Sequence, residues 1–270
     1  MTRISLLILA FLLSLTVHAQ PQKNRSIRSE DFTNTRPISS KRIDRSRIPS
    51  RIYRQASKPL KKPLDKFSPS TLKIGVTLWK IQPGPNGIAK RVETDTPFRE
   101  DELLRLTIES PRSGYLYVID RDWFNDGAAG DTNLIFPLRG DDNRLQAGKL
   151  IEIPAEDKAP FKTKPKPNQV GEMLTIIVTE SRLSLPLSNS VLPISNNQLA
   201  KWEETWSGST ERFEMNGGTG QARTIEEQEA ASRTRARQLT RDDPSPQTIY
   251  FLTPKNREGL LFNLTLSYIR

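Results

Sequence analysis

The chain has 270 residues, a net charge of +10, one histidine and no cysteine. The single imidazole, His18, sits at the end of an apolar leader. Everything after it therefore lacks disulfides, Ser-His-Asp and Cys-His nucleophiles, and the usual nitrogen and sulfur ligands for zinc, copper or haem. Chemistry would have to rest on carboxylates, a Ser-Lys pair, Tyr, or a hard cation held by oxygens, and no cofactor is implied.

The leader, MTRISLLILAFLLSLTVHA, places Arg3 before an apolar run from Ile4 to Val17 and closes on Val17-His18-Ala19. This pattern predicts a secretory signal peptide over residues 1–19, cleaved near Ala19; the alternative is an uncleaved amino-terminal anchor. The expected location is outside the bacterial cytoplasm, in the periplasm or beyond the cell. Residues 20–70 hold fourteen Lys and Arg against four acids, a net +10, which leaves the remainder of the chain close to neutral. Ser, Pro and Arg run throughout this stretch without an apolar period, so it reads as a disordered or extended basic arm. Arg42, Arg45, Arg47, Arg51, Arg54, Lys61 and Lys62 would grip an anionic envelope polymer or membrane surface if the arm binds. The other reading is a solvated linker, and no specific nucleic acid is implied.

After Ser70 the apolar period becomes two. Leu72, Ile74, Val76 and Leu78 share one face, as do Leu104, Leu106 and Ile108, and then Leu260, Phe262, Leu264, Leu266 and Tyr268. Further strands are expected over residues 115–120, 132–136, 149–153 and 173–180. Short alternating strands broken by Gly, Pro, Asn and Asp, with no βαβ rhythm, predict an antiparallel β-sandwich over residues 71–270. It would be immunoglobulin-like in general architecture, with about eight strands. A helical insertion over about 195–240 precedes the last two strands. Leu199, Trp202 and Trp206 fall at helical spacing after a cap at Ser195 or Asn196, and the stripe packs on the sheet or serves as a contact surface. Thr224-Ile225-Glu226-Glu227 is a capping box that opens a second helix, expected to reach Leu239 and to lie loosely on the surface.

The stretch SPRSGYLYVIDRDWFNDG, Ser110 to Gly127, carries the candidate chemistry. A tight turn enters the strand Gly114 to Val118, and an acidic loop with Trp123 and Phe124 at its tip leaves it. Asp120, Asp122 and Asp126 invite a calcium loop. Counted from Asp120, however, position five is Phe124 and six is Asn125, where an oxygen ligand and glycine are needed; position twelve, Asp131, does supply an acid. Asp126-Gly127 fits a hairpin turn better, because Gly supplies the positive φ. A carboxylate-dependent glycan hydrolase is the enzymatic rival, its acid pair drawn from Asp120, Asp122, Asp126 and Asp131.

The blocks GYLYV, DxD…DG, NLIFP, DNRLQAG, IEIP and GEMLTIIVTES follow in an order that resembles the bacterial domain-of-unknown-function 4384 family, over about residues 72–183 and into the last strands. The resemblance implies a β-sandwich accessory module and carries over no catalytic residue. Together with the composition it points to an exported, non-enzymatic interaction module of the cell envelope. Its partner would be another envelope protein, met through Trp123, Phe124, Trp202 and Trp206.

Overall fold

The computed structural model describes residues 29–39, 71–84, 87–233 and 237–269. The expected signal peptide and the seven named arm cations lie outside the described residues. Among those described, the elements in chain order begin with α1 (Glu30–Thr33), β1 (Leu72–Ile81), β2 (Ala89–Val92), β3 (Leu103–Glu109), β4 (Gly114–Phe124) and β5 (Ala129–Phe136). There follow β6 (Arg144–Leu145), β7 (Ile151–Ile153), β8 (Phe161–Lys162), β9 (Gln169–Thr179), β10 (Leu192–Pro193) and α2 (Asn196–Trp206). The chain then forms β11 (Ser209–Glu214), α3 (Ile225–Ala231), β12 (Thr248–Thr253) and β13 (Gly259–Ser267).

Two antiparallel sheets result, as the alternation predicts. The first runs β11-β12-β1-β3-β7, with β2 also on β1 and β8 also on β3. The second runs β10-β5-β4-β9-β13, with β6 also on β4. Both turn their apolar phases inward: Ile74, Val76 and Leu78 from β1 and Leu106 and Ile108 from β3 meet Leu116, Val118, Ile176, Val178, Phe262 and Leu264 of the second sheet. Each such side chain, fully buried, contributes about 1.5–3 kcal/mol. The additional strands beyond the expected eight are mostly short edge pieces, too brief to show a period.

The outer faces are covered as well. On the second sheet, Tyr117, Ile119, Leu134, Ile177 and Leu261 form an apolar floor for Leu199, Trp202 and Trp206 of α2. Ser195 caps that helix, its side chain accepting from Gln198 N at 3.2 Å. On the first sheet the cover is polar. Trp79 donates from Nε1 to Thr107 Oγ1 at 3.0 Å, and the guanidinium groups of Arg91 and Arg223 lie 5.3 and 5.6 Å from the centroid of its ring. Arg91 pairs with Glu227, and Arg223 donates to Glu152 at 2.6 Å.

Two expectations are corrected here. Residues 29–39, read as part of a disordered arm, dock on this polar face. Phe32 is buried beside Gly75, where an added Cβ would come within 2.8 Å of the Phe32 ring, so only glycine leaves room for it. Arg36 donates twice to Glu109, at 2.8 Å each, and to the carbonyls of Thr240, Asp243 and Pro244. The second insert helix ends at Ala231 instead of reaching Leu239, and it is not loose. Ala230 and Glu227 are buried, whereas Ile225 is 70 % exposed. Burial follows the Glu227–Arg91 pair, which turns that side of the helix inward.

Candidate functional site

β4 is longer than its apolar core requires. It continues to Phe124, so Asp120 and Asp122 are strand residues, not loop residues. Their phase is that of Leu116 and Val118, which face the interior, and β9 mirrors it: Glu172 precedes Leu174, Ile176 and Val178 on the inward phase, and Asp122 is paired with Glu172 in register. The apolar space between the sheets thus ends in a group of acids. A cleft of about 120 Å³ reaches Asp120 and Glu172, lined among others by Leu104, Ile135, Phe161, Leu266 and Tyr268.

The acids differ in how they are satisfied. Asp122 accepts from Lys166 Nζ at 2.5 Å and from Gln169 Nε2 at 2.9 Å. Lys166 also lies 3.7 Å from Asp131, and its ammonium is pushed up first by the hydrogen bond to Asp122. Asp120 is less well satisfied: among the described residues its Oδ1 is buried without a hydrogen bond, and only the backbone N–H of Arg121 bonds its carboxylate. Burial first, and then the Glu172 and Asp122 carboxylates, push Asp120 up to about 7. Glu172 is raised too, again chiefly by burial, although the Tyr268 hydroxyl donates to its Oε1 and opposes the shift. Tyr268 is raised in turn by its own burial and by the negative charge of Glu172. Near neutral pH Asp120 can therefore keep its proton, the state a general acid needs.

The turn reads as the sequence suggests. Gly127 has φ +77° and donates to Phe124 O at 3.0 Å, while Asp126 Oδ1 accepts from Ala128 N at 2.9 Å. Asp126 is spent on the turn, and Asp131 is exposed. The three residues of the calcium reading are therefore not brought together, and no cluster of three or more possible metal ligands occurs among the described residues. Glu172 and Tyr268 complete the group that sequence reasoning built from Asp120 and Asp122. Their signal was an acid and a phenol continuing apolar alternations, Glu172 before Leu174 and Tyr268 after Leu266.

The aromatic candidates separate. Trp202 and Trp206 stack at 6.0 Å under the second sheet's outer face and are buried, so they are core residues and not contact residues. Trp123, at the end of β4, is 40 % exposed, while Trp79, Trp202 and Trp206 are all below 10 %. Phe124 beside it is half-buried. No helix among the described residues is long and apolar enough to cross a membrane. Comparison with protein-family models, with curated proteins and with solved structures finds no match to this chain.

Proposed function

We propose that the protein is a non-enzymatic interaction module, exported to the bacterial envelope, which meets a protein partner through the Trp123 end of the β4–β5 hairpin. One observation carries this reading: of four tryptophans only Trp123 leaves a large part of its ring in water, next to the half-buried Phe124. The end of β4 presents it, and large aromatics are the side chains that dominate interface energetics. The likeness of the sequence blocks to accessory modules agrees, and the basic arm would add salt-sensitive attachment to anionic envelope polymer.

A photo-crosslinking residue at position 123, in the full chain expressed in its own bacterium, is expected to yield one discrete adduct. The same residue at position 225, 70 % exposed on another element, should yield none. Trp123→Ser should leave the melting temperature unchanged and abolish competition for that adduct. Equal labelling from both positions, or a large loss of stability in Trp123→Ser, defeats the proposal.

The convergence of Asp120 and Glu172 favours a second reading, acid catalysis on a glycan. Size argues against it: a cleft of about 120 Å³ has room for a few waters, whereas small-molecule sites occupy roughly 300–1,000 Å³. Reducing ends released from purified cell wall by the wild type and lost in Asp120→Asn would reverse that ranking.

A further inference from the structure

The strands that end the two sheets are β7, β11, β10 and β13. Three of them are blunt edges. β7 and β10 have three and two residues, β10 includes Pro193, and β11 sets Glu211, Arg212 and Glu214 in six. Short length, proline and charge are the devices that stop a sheet edge from pairing with another chain. β13 has none of them. Its nine residues carry no charge and no proline, and they pair with β9 without a register shift.

One side of β13 is open. Tyr268 N–H donates to Val170 O at 2.8 Å, toward β9, whereas on the other side Ser267 O accepts from Phe98 N and Ile269 N donates to Phe98 O, each at 2.8 Å. Main-chain groups alternate along a strand, so those of Asn263 and Thr265 point the same way as Ser267 O, away from β9. Among the described residues nothing bonds to them. Asn263 is exposed and Thr265 half-buried. The opening is bounded: Ser207 bridges to Leu261 and Phe98 to Tyr268, positions about 23 Å apart along the strand. The first sheet reaches further on this side. The rings of Tyr250 on β12 and Phe262 on β13 lie 4.6 Å apart, so β12 faces β13, and among the described strands β11 has none opposite. Thr210 and Arg212 of β11 share the inner phase of Leu252 and Tyr250, yet both are exposed.

We infer that the outer edge of β13 takes up an extended, uncharged segment of a second protein, about five residues long, as a further strand of the second sheet. Its N–H and C=O groups complete the ladder at Asn263 and Thr265, and its inward side chains cover Thr210 and Arg212. No charge is called for, since Arg212 already pairs with Asp95 at 3.1 Å. A second copy does not fit. Paired edge to edge, each β13 would meet the Phe98 and Ser207 of the other in its own line. Residues 40–70 of the same chain hold no four consecutive residues free of both charge and proline, so they do not match the slot either.

The test is NMR amide exchange and shift titration of the whole protein with two capped pentapeptides, Thr-Val-Thr-Val-Thr and Ser-Ile-Ser-Ile-Ser. In the free protein the Asn263 and Thr265 amides are expected to exchange about a hundredfold faster than those of Phe262 and Leu264, which bond to β9. At least one peptide should move the Asn263 and Thr265 signals and slow their exchange about tenfold. Its fully N-methylated form, with no N–H to donate, should do neither. Thr265→Pro removes an N–H that β9 does not use, so it should melt near the wild type and lose the peptide. If that variant fails to fold, the N-methylated peptide decides alone. Asn263 and Thr265 amides as slow as Phe262 and Leu264 in the free protein would mean that the chain covers its own edge, and would overturn the inference. So would unchanged signals with both peptides at millimolar concentration, or binding that survives N-methylation or Thr265→Pro.

Discussion

The sandwich buries both of its outer faces, and it does so by opposite means. On the second sheet α2 sets Leu199, Trp202 and Trp206 against Tyr117, Ile119, Ile177 and Leu261, and the closing force is transfer of apolar surface out of water. On the first sheet Arg36 meets Glu109, and Arg91 and Arg223, both over the Trp79 ring, meet Glu227 and Glu152. An apolar cover tolerates replacement by other apolar side chains of similar volume. An ion-paired cover fixes its partners, because each charge left alone in the interior is costly.

Breaking the polar face should therefore have the larger effect. Arg36→Met strands Glu109, whose two oxygens each lose a 2.8 Å bond, and is expected to cost about 3–5 kcal/mol in urea denaturation. Arg36→Lys should restore little, since an ammonium cannot serve the two carboxylate oxygens and three carbonyls that the guanidinium reaches. Arg36→Met combined with Glu109→Leu should recover most of the loss. If the double variant is as unstable as the single one, the pair is not what holds residues 29–39 down. Trp202→Ala on the apolar face should cost about 3 kcal/mol, and Trp202→Phe should return more than half of that. A Phe variant as poor as Ala would mean that the two faces do not differ in kind.

The same contrast explains what could be read from the residues. Alternation in Leu72 to Leu78 and in Leu260 to Leu266 identifies strands with one buried face, and the spacing of Leu199, Trp202 and Trp206 identifies a helix that must pack on something. Nothing comparable announces the first sheet's outer face. Arg105, Thr107 and Glu109 look like solvent-facing residues. They are covered because their partners arrive from 73 residues away in the case of Arg36–Glu109, and because Arg223 reaches Glu152 across 71. Such pairings leave no local period. Phe32 and Arg36 were likewise lost in a basic, Ser-rich context. The acid cleft is half legible: Asp120 continues the Leu116–Val118 phase, yet its closeness in sequence to the Asp126-Gly127 turn groups it with the loop acids.

That cleft sharpens the comparison, since its carboxyls are buried without an arginine. An ordinary Asp titrates near 3.8, whereas Asp120 is held at about 7. Between those values the folded chain keeps a proton that the unfolded chain has released. Its stabilising contribution is therefore complete below about pH 4 and lost as pH rises through about 7. Glu172 is shifted in the same direction and adds to the slope. Asp120→Asn, neutral at every pH, should flatten the fall in stability from acid to neutral pH. At about pH 8 it should be more stable than the wild type, by up to about 4 kcal/mol for a shift of about three pKa units. Unfolding midpoints measured from acid to mildly alkaline pH decide it. A wild type more stable at pH 8 than at pH 5 would show that Asp120 is ionised and satisfied in the fold.

The smallest effect tests whether a helix end inherits the character of the face it covers. Ser195 caps α2 with one bond, to Gln198 N. Thr224 caps α3 reciprocally: its hydroxyl accepts from Glu227 N at 3.3 Å, while Glu227 Oε2 accepts from Thr224 N at 3.1 Å. The other oxygen of Glu227 binds Arg91 beside Trp79, so this cap also orients a buried ion pair. Loss of an ordinary cap costs about 0.5–2 kcal/mol. Ser195→Ala should fall near the bottom of that range, because the apolar stripe of α2 holds the helix regardless. Thr224→Ala should cost about 1 kcal/mol or more, and the excess should vanish in an Arg91→Met, Glu227→Gln background, where no ion pair is left to misplace. Equal losses in the two backgrounds would confine Thr224 to its own helix and separate the cap from the charge that it faces.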